Sequence, residues 1–159
     1  MPSLAPALLA PLLPIFLPLA VRWAEQEERR ILDHGVPLPA ESLADARNMG
    51  VSEPGKIRLL KVDCVPSPAN PLLRWLGRRT GLISPMTAGM ALRYGIFLRA
   101  DCWMNRHIIA HECVHTAQYE RLGTIRVFLQ QYLLECLHVG YPAAPLEQEA
   151  ICRSATIPL

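Results

Sequence analysis

The sequence predicts an α+β protein in which helices outweigh strands and a small antiparallel or mixed sheet lies beside a central helix. Three capped, amphipathic segments are typical of helices, at residues 21–34, 106–122 and 124–138. Two stretches, residues 56–63 and 82–100, carry the pattern expected of strands. The chain has 159 residues, of which 51% are hydrophobic and 19% are charged, so we expect one folded domain with a hydrophobic core.

Residues 1–21 form a hydrophobic, proline-rich arm that precedes the predicted domain at 22–159. The arm has no charged side chain before Arg22 and is long enough to suggest a membrane span. Its five prolines argue against an unbroken helix, because an interior proline costs a helix about 3 kcal/mol. It also lacks the positive start of a secretory signal. Three interpretations stay open: an arm or broken helix packed on the domain, a membrane-surface anchor, and a poor signal sequence.

The first half of the domain mixes predicted helices with predicted strands. In chain order, the pattern predicts a helix at 21–34, a short helix at 39–48, a strand at 56–63, a helical turn at 70–76 and a basic loop at 77–81. Residues 82–100 are typical of two paired strands that are joined by a turn at 86–90. The second of these strands covers residues 94–99.

Residues 111–115 read His-Glu-Cys-Val-His, an H-E-x-x-H motif inside the predicted helix at 106–122. His111 and His115 are four residues apart, so their imidazoles lie on one helical face and can reach the same metal ion. Zinc lowers the pKa of a bound water from about 15.7 to about 7. Glu112 points to the side of the histidine pair, where it can accept a proton from such a water as a general base. His107, one turn earlier, is expected to be a partly exposed polar residue and not a ligand.

The third metal ligand is one of three later carboxylates, Glu135, Glu147 and Glu149. Catalytic zinc commonly takes three protein ligands and leaves one position open. Pro145 is suited to the first position of a final helix. Glu147 and Glu149 would then lie in its first turn, where the helix dipole favours any carboxylate whether or not it binds a metal.

At this point the motifs resemble a known family. The H-E-x-x-H at 111–115, the Gln-Tyr pair at 118–119 and the Pro-Leu-Glu-Gln-Glu-Ala at 145–150 resemble gluzincin-type zinc metallopeptidases. They are close to small bacterial proteins that share H-E-x-x-H, a following Gln-Tyr and a later P-x-E-x-E-A. The resemblance covers about residues 93–153, and its motifs are specific for a metal site but not for a substrate.

The resemblance implies a zincin-like fold and one Zn²⁺ held by His111, His115 and Glu147. Glu135 stays a rival, since its distance from His115 resembles the thermolysin-like branch, although the aspartate expected four residues later is missing. The chain departs from the family at Ile151, where an aspartate often supports a ligating histidine, and Glu149 is a candidate for that role. Such peptidases hold substrate against an edge strand beside the metal helix, and residues 94–99 are our candidate.

The function that we expect is zinc-dependent hydrolysis of a peptide bond in a peptide or protein substrate, with Glu112 as the catalytic base. Tyr119 and His138 are candidates to assist the oxyanion. The alternatives are a non-catalytic zinc-binding module, supported if four protein ligands close the site, and a membrane-associated module that acts through residues 1–21. The net charge of +2 gives no case for a nucleic-acid partner. Five cysteines without a C-x-x-C motif predict free thiols in a reducing, cytoplasmic compartment, with membrane association left open by the arm.

Overall fold

The computed structural model describes residues 6–158 and has an α+β architecture, mostly helical, with one small mixed sheet. A 3₁₀ turn at Pro6–Leu12 leads into the first helix. The helices are α1 (Leu13–His34), α2 (Ala40–Asn48), α3 (Pro71–Thr80), α4 (Arg106–Leu122), α5 (Ile125–Val139) and α6 (Pro145–Ser154), and the strands are β1 (Val36–Pro37), β2 (Arg58–Val62), β3 (Gly89–Leu92) and β4 (Gly95–Arg99). The fold class predicted from the sequence is therefore confirmed.

The four strands lie in the order β1-β2-β4-β3. β2 and β4 are parallel, whereas β1 pairs with β2 and β3 pairs with β4 in the antiparallel sense. β4 is thus paired on both sides, and its residues Ile96, Phe97 and Leu98 are fully buried. Among the described strands, β3 forms one edge of the sheet. The expectation that residues 94–99 supply the edge strand is wrong, because β4 lies inside the sheet.

The turn between β3 and β4 also differs from the prediction. It lies at Arg93 and Tyr94 and not at residues 86–90. Arg93 has a φ of 59°, in the left-handed region that non-glycine residues seldom adopt. Glu28 of α1 holds this conformation: its carboxylate accepts hydrogen bonds from Arg93 Nε (2.9 Å), Arg93 Nη2 (2.7 Å) and the Tyr94 backbone N–H (3.2 Å). This contact comes from a distant helix, so the local pattern could not reveal it.

Polar side chains cap the starts of α4 and α5. Asn105 accepts a hydrogen bond from the Ile108 N–H at the start of α4, and Thr124 accepts one from the Val127 N–H at the start of α5. Gly123 ends α4 with a φ of 89°. α3 is longer than predicted, because residues 77–80, which we expected to form a loop, continue the helix.

α1 begins at Leu13, so residues 13–21 of the hydrophobic arm and the predicted helix at 21–34 belong to one helix, whereas residues 1–5 of the arm lie outside the described residues. Pro14 lies in the first turn, where a missing N–H costs little, and Pro18 lies on the exposed side. The inward face of the arm carries Leu13, Phe16 and Leu17, each 3–4% exposed, which pack on α3 and α5. Residues Leu8–His34 are long and apolar enough to cross a membrane, a property that signal sequences and buried core helices share.

α4 is the central helix, and it packs against α2, α5, α6 and β3. Ala110, Cys113 and Val114 on α4 are fully buried and lie in one cluster with Ile96 and Leu98 of β4. On the opposite face of β4, the ring of Phe97 packs with Ala24 and Ile31 of α1. The sheet and the surrounding helices therefore fix α4 in place, with one face turned towards α6.

Candidate metal centre

Two helices bring the predicted histidines and one predicted carboxylate together. His111 and His115 project from α4, and Glu147 projects from the first turn of α6. His111 Nε2 lies 3.2 Å from Glu147 Oε1, and His115 Nε2 lies 3.2 Å from Glu147 Oε2. One ligand atom from each of the three residues lies within 4.8 Å of the others. All three side chains are largely buried, with exposures of 22%, 9% and 3% in chain order.

The start of α6 is held by α5, which is why Glu147 faces α4. The carboxylate of Glu135 accepts a hydrogen bond from the Leu146 backbone N–H at 2.8 Å and so caps the helix. Leu146 and Ala150 on the inward side of α6 are buried at 3% and 0% exposure. Glu135 therefore contributes to the position of α6 and lies outside the metal cluster.

Gln118 fixes the protonation pattern of His115. The Gln118 side-chain Nε2 donates to the Leu146 carbonyl oxygen (2.8 Å) and to Glu149 Oε2 (3.0 Å), and both of these atoms can only accept. The amide oxygen must then be the atom that faces His115 Nδ1 at 2.8 Å, so Nδ1 donates its proton. In the neutral imidazole, Nε2 is left with its lone pair pointing at Glu147.

Glu149 supports this arrangement from outside the cluster. Its carboxylate forms a two-pronged ion pair with Arg121 (2.9 and 2.8 Å) and contacts Arg153 (3.4 Å). The Arg121 guanidinium holds the pKa of Glu149 at about 2, so the carboxylate stays charged and keeps the Gln118 amide oriented. We expected Glu149 to support a ligating histidine. Its carboxylate contacts Gln118 and not a histidine, and the Gln118 amide in turn contacts His115.

The groups around Glu147 favour the charged form of its carboxylate. Burial alone would raise the pKa of Glu147, but the imidazoles of His111 and His115 and the Tyr132 hydroxyl, which donates at 2.7 Å, lower it well below its usual range. Burial would lower the pKa of His111, yet the hydrogen bond with Glu147 and the charge of Glu112 raise it. A permanently charged carboxylate beside imidazole nitrogens is the donor set that borderline metal ions bind.

The donor geometry fits a metal ion. Imidazole nitrogens and carboxylate oxygens lie about 2.0–2.2 Å from zinc, so two tetrahedral ligands are about 3.3 Å apart. The contacts from Glu147 to the histidines are of this size, at 3.2 Å from Oε1 to His111 and 3.2 Å from Oε2 to His115, and one donor atom of each residue lies within 4.8 Å of the others. In the His115 contact, an ionised oxygen faces the ring nitrogen that does not bond Gln118, and a cation shared by both atoms would stabilise this arrangement. Within residues 6–158, these three residues form the single cluster of histidine, cysteine or acidic side chains that could hold a metal.

Glu112 lies beside the cluster, against β3. Its side chain is 5% exposed, and burial raises the pKa of its carboxyl, although the nearby His111 and His115 act in the opposite direction. The close neighbour is Gly89 at the start of β3: a Cβ on this residue would lie 2.8 Å from Glu112 Oε1 and 3.0 Å from its Cγ. Glycine at position 89 is therefore what allows the sheet edge and the carboxylate to approach.

A cavity of about 670 Å³ opens onto the cluster. His111, Glu112, His115 and Glu147 line it, together with mainly apolar residues of α1, α3 and α5. Residues of β3 and the segment before it, 84–92, form another side. The cavity gives the metal cluster access to a molecule of the size of a peptide side chain and its flanking backbone.

The remaining candidates from the sequence fall in different places. His107 lines the cavity, one turn from His111, and lies outside the metal cluster as expected; its Nε2 is buried and has no hydrogen-bond partner among the described residues. Tyr119 is 1% exposed and stacks on Phe128 at 3.7 Å, and His138 Nδ1 donates to the Leu134 carbonyl oxygen on the outer side of α5. Tyr119 also lines the cavity, but among the described residues no hydrogen bond joins either side chain to His111, His115 or Glu147.

Three contributors were missed in the sequence. Gln118 lies three residues after His115, a spacing that places both on one face, so its role was open to inference. Tyr132 and Tyr141 line the cavity from α5 and the following turn, and only the tertiary structure brings them to Glu147. Burial and the charge of Glu147 raise the pKa of Tyr141 to about 12, so its hydroxyl remains a donor at neutral pH.

Comparison of the chain with protein-family models, with curated proteins and with solved structures gave no match in any of the three. The function considered next therefore depends on the chemistry of the site itself.

Proposed function

We propose that the protein is a zinc-dependent peptidase of the gluzincin type, with a zincin-like fold, in which His111, His115 and Glu147 hold the metal. The single observation that carries the proposal is the convergence of these three donor atoms beside the buried carboxylate of Glu112. An H-E-x-x-H helix joined by a later glutamate is the donor set of such enzymes. Three protein donors also leave room for substrate, which favours a catalytic over a closed structural site.

When bound, zinc supplies Lewis-acid chemistry, since it lowers the pKa of a water molecule to about 7 and polarises a carbonyl group. Glu112 accepts the proton of the attacking water and later donates it to the amine nitrogen that leaves. Burial raises the pKa of Glu112, which brings the carboxyl closer to the working pH of a base that must also act as an acid.

β3 is the strand that we propose for substrate binding, in place of residues 94–99. It is the edge strand next to α4, and Gly89 contacts the Glu112 side chain. A peptide that adds to this edge as a further strand would be held by backbone hydrogen bonds, with its scissile carbonyl near Glu112. The apolar cavity wall favours substrates with an apolar side chain next to the cleaved bond.

His107 is proposed to contact the substrate. A buried ring nitrogen without a partner costs about 1–3 kcal/mol, and such groups call for an explanation. His107 lines the cavity one helical turn from the metal cluster, and a turn of its ring would bring the buried, unpartnered Nε2 to a carbonyl or amide group of a bound peptide. This contact would position substrate without involving His107 in the metal set.

The test measures metal content and peptide hydrolysis on the same purified samples. The wild type is expected to carry about one zinc per chain and to cleave a peptide library, whereas His115→Ala is expected to lose both properties. Glu112→Gln should retain zinc and lose cleavage, because the base is removed and the metal donors remain.

Two of the three candidate carboxylates provide a matched pair of variants. Glu147→Gln should lose zinc, while Glu135→Gln should retain it, because the Glu135 side chain contacts the start of α6 and not the cluster. If the wild type binds zinc but cleaves no peptide in a library of mixed sequence, the peptidase proposal fails and the non-catalytic zinc-binding module replaces it. If zinc is absent from every sample and cannot be loaded, both proposals fail.

A further inference from the structure

The outward face of the first helix carries an apolar stripe, formed by Leu8, Leu12, Ile15 and Leu19. These side chains are 64%, 40%, 62% and 41% exposed, respectively. Leu12, Ile15 and Leu19 are spaced by three and four residues and lie along one line at the start of α1, while Leu8 lies in the preceding 3₁₀ turn. Each of them keeps at least 40% of its surface exposed in the part of the chain that the structure describes, and an apolar face of this kind marks an interaction site.

The stripe cannot be part of a span in this fold. From Leu8 to Leu19 it is about 17–20 Å long, shorter than the hydrocarbon core of about 30 Å. The opposite face of the same segment is already buried through Phe16 and Leu17 against α3 and α5. Further along, Glu28 is 2% exposed and paired with Arg93 at 2.7 Å, so the second half of α1 is fixed in the protein. The protein can therefore contact a bilayer only through the outward side of this segment, at the membrane surface.

α3 lies next to the stripe and supplies positive charge. Phe16, which follows Ile15 directly, packs with Leu73 and Leu76 of α3. α3 also exposes Trp75 (45%) and, near its C-terminal end, Arg78 and Arg79. No ion pair involves either of these two arginines among residues 6–158. Tryptophan at the polar–apolar boundary and arginines with free charge are the partners that an anionic lipid surface favours.

We propose that the apolar stripe of α1 and the exposed side of α3 dock the protein on an anionic lipid bilayer, as an interfacial surface. The stripe enters the boundary between headgroups and acyl chains, and Arg78 and Arg79 contact the lipid phosphates. The same two helices form the cavity wall on their inner sides, through Ala20, Trp23 and Leu76. Docking would therefore place the cavity next to the bilayer, and it does not depend on whether the metal site is catalytic.

The experiment measures partition of the full chain onto vesicles of phosphatidylcholine, or of phosphatidylcholine and phosphatidylglycerol in equal parts, by co-sedimentation. Tighter binding to the anionic vesicles is expected. Arg78→Gln with Arg79→Gln should weaken that binding by about fivefold for each arginine. Ile15→Ser with Leu19→Ser should weaken it about fivefold for each residue, because roughly half of each side chain is free to enter the lipid.

Two control variants remove the same chemistry elsewhere. Val36→Ser changes a side chain that is 43% exposed beyond the far end of α1, and Arg126→Gln removes an exposed arginine at the start of α5. Both should bind vesicles as the wild type does. Circular dichroism of every variant shows whether the fold is retained, and a variant that unfolds is replaced by Leu12→Ser or Leu8→Ser on the same stripe.

Four results would overturn the proposal. The first is a wild type that does not bind anionic vesicles, and the second is an equal loss of binding in the control variants. The third is binding that survives both high salt and alkaline extraction, which would indicate a transmembrane helix. A rise in salt from about 0.1 M to about 1 M shortens the Debye length from about 10 Å to about 3 Å and so screens the contacts between the arginines and the lipid phosphates. The fourth is a lipid-free dimer that Ile15→Ser with Leu19→Ser dissociates, which would assign the stripe to a second copy of the chain.

Discussion

Replacement of Gly89 by alanine is the sharpest test of how the sheet edge and the proposed base fit together. An added Cβ would lie 2.8 Å from Glu112 Oε1, 3.0 Å from Cγ and 3.1 Å from Cδ, whereas ordinary contact begins at 3.4 Å. The carboxylate oxygen must therefore retreat by about 0.6 Å, and the rest of the side chain must follow it. Misplacement of a reacting group by about 1 Å can cost a hundredfold in rate, which corresponds to about 2.7 kcal/mol.

We expect Gly89→Ala to lower kcat/KM by about 30- to 100-fold, less than the loss in Glu112→Gln. The zinc content should be unchanged, because none of the atoms that a Cβ would meet belongs to His111, His115 or Glu147. The free energy of unfolding should change by less than about 2 kcal/mol, because a side chain and not the backbone has to move.

Gly55→Ala is the matched control, since no atom lies within 4 Å of the corresponding Cβ position. It should keep the activity of the wild type. The assay is hydrolysis of a fluorogenic peptide chosen from the library that the wild type cleaves, with zinc measured on the same samples. A Gly89→Ala protein that holds zinc and cleaves within about threefold of the wild type would refute the assignment of Glu112 as a base placed by β3.

Three further predictions address the support of the site and the first helix. Gln118→Ala should weaken zinc binding by about 10- to 100-fold in a chelator competition, because His115 Nδ1 loses its acceptor, while Gln131→Ala on the outer side of α5 should not. His107→Ala should raise KM at least threefold in steady-state kinetics, because a contact between Nε2 and substrate contributes roughly 1 kcal/mol to binding. Its kcat and its zinc content should stay within twofold of the wild type. Phe16→Ala should destabilise the fold by about 3–5 kcal/mol in urea unfolding, whereas the neighbouring Ile15→Ala should change it by less than about 0.5 kcal/mol, since their exposures are 3% and 62%.

The sequence predicted the elements whose ends are marked by local chemistry. α4, α5 and α6 begin at Arg106, Ile125 and Pro145, within one residue of the predicted starts, because a capping side chain or a fixed φ acts within one helical turn. α3 was predicted too short for the opposite reason. Gly77 lies inside the helix with Ile83 packed against it so closely that a Cβ would clash, and that contact is invisible until the chain has folded back.

The first helix shows a similar limit. Five prolines before residue 21 argue for a broken segment on propensity alone, since each removes a backbone donor. Yet α1 runs from Leu13, because Pro14 occupies the first turn and Pro18 faces solvent while Phe16 and Leu17 are buried. Tertiary burial of about two large side chains, worth roughly 1.5–3 kcal/mol each, offsets the cost of an interior proline.

The candidate site, like the fold, has one part that local spacing predicts and one part that depends on tertiary packing. His111 and His115 are four residues apart on one helix, so their spacing alone predicts that the two side chains lie together. The third donor was left open among Glu135, Glu147 and Glu149, because each of the three is on a later helix whose packing the sequence does not give. The structure brings Glu147 to the histidines and uses the other two to hold α6 and Gln118 in position.

In this chain, Gln118 can replace the aspartate that is missing at position 151 as the hydrogen-bond acceptor for a histidine. A histidine that binds a metal through Nε2 needs an acceptor at Nδ1, and a carboxylate is the usual one. Here Gln118 accepts at 2.8 Å, and an amide can do so reliably only when its own orientation is fixed. Glu149 and the Leu146 carbonyl fix it by accepting both N–H groups, and Arg121 keeps Glu149 charged. A neutral amide backed by a distant carboxylate thus orients the ring as an aspartate would, so Ile151 is compatible with a functional metal site.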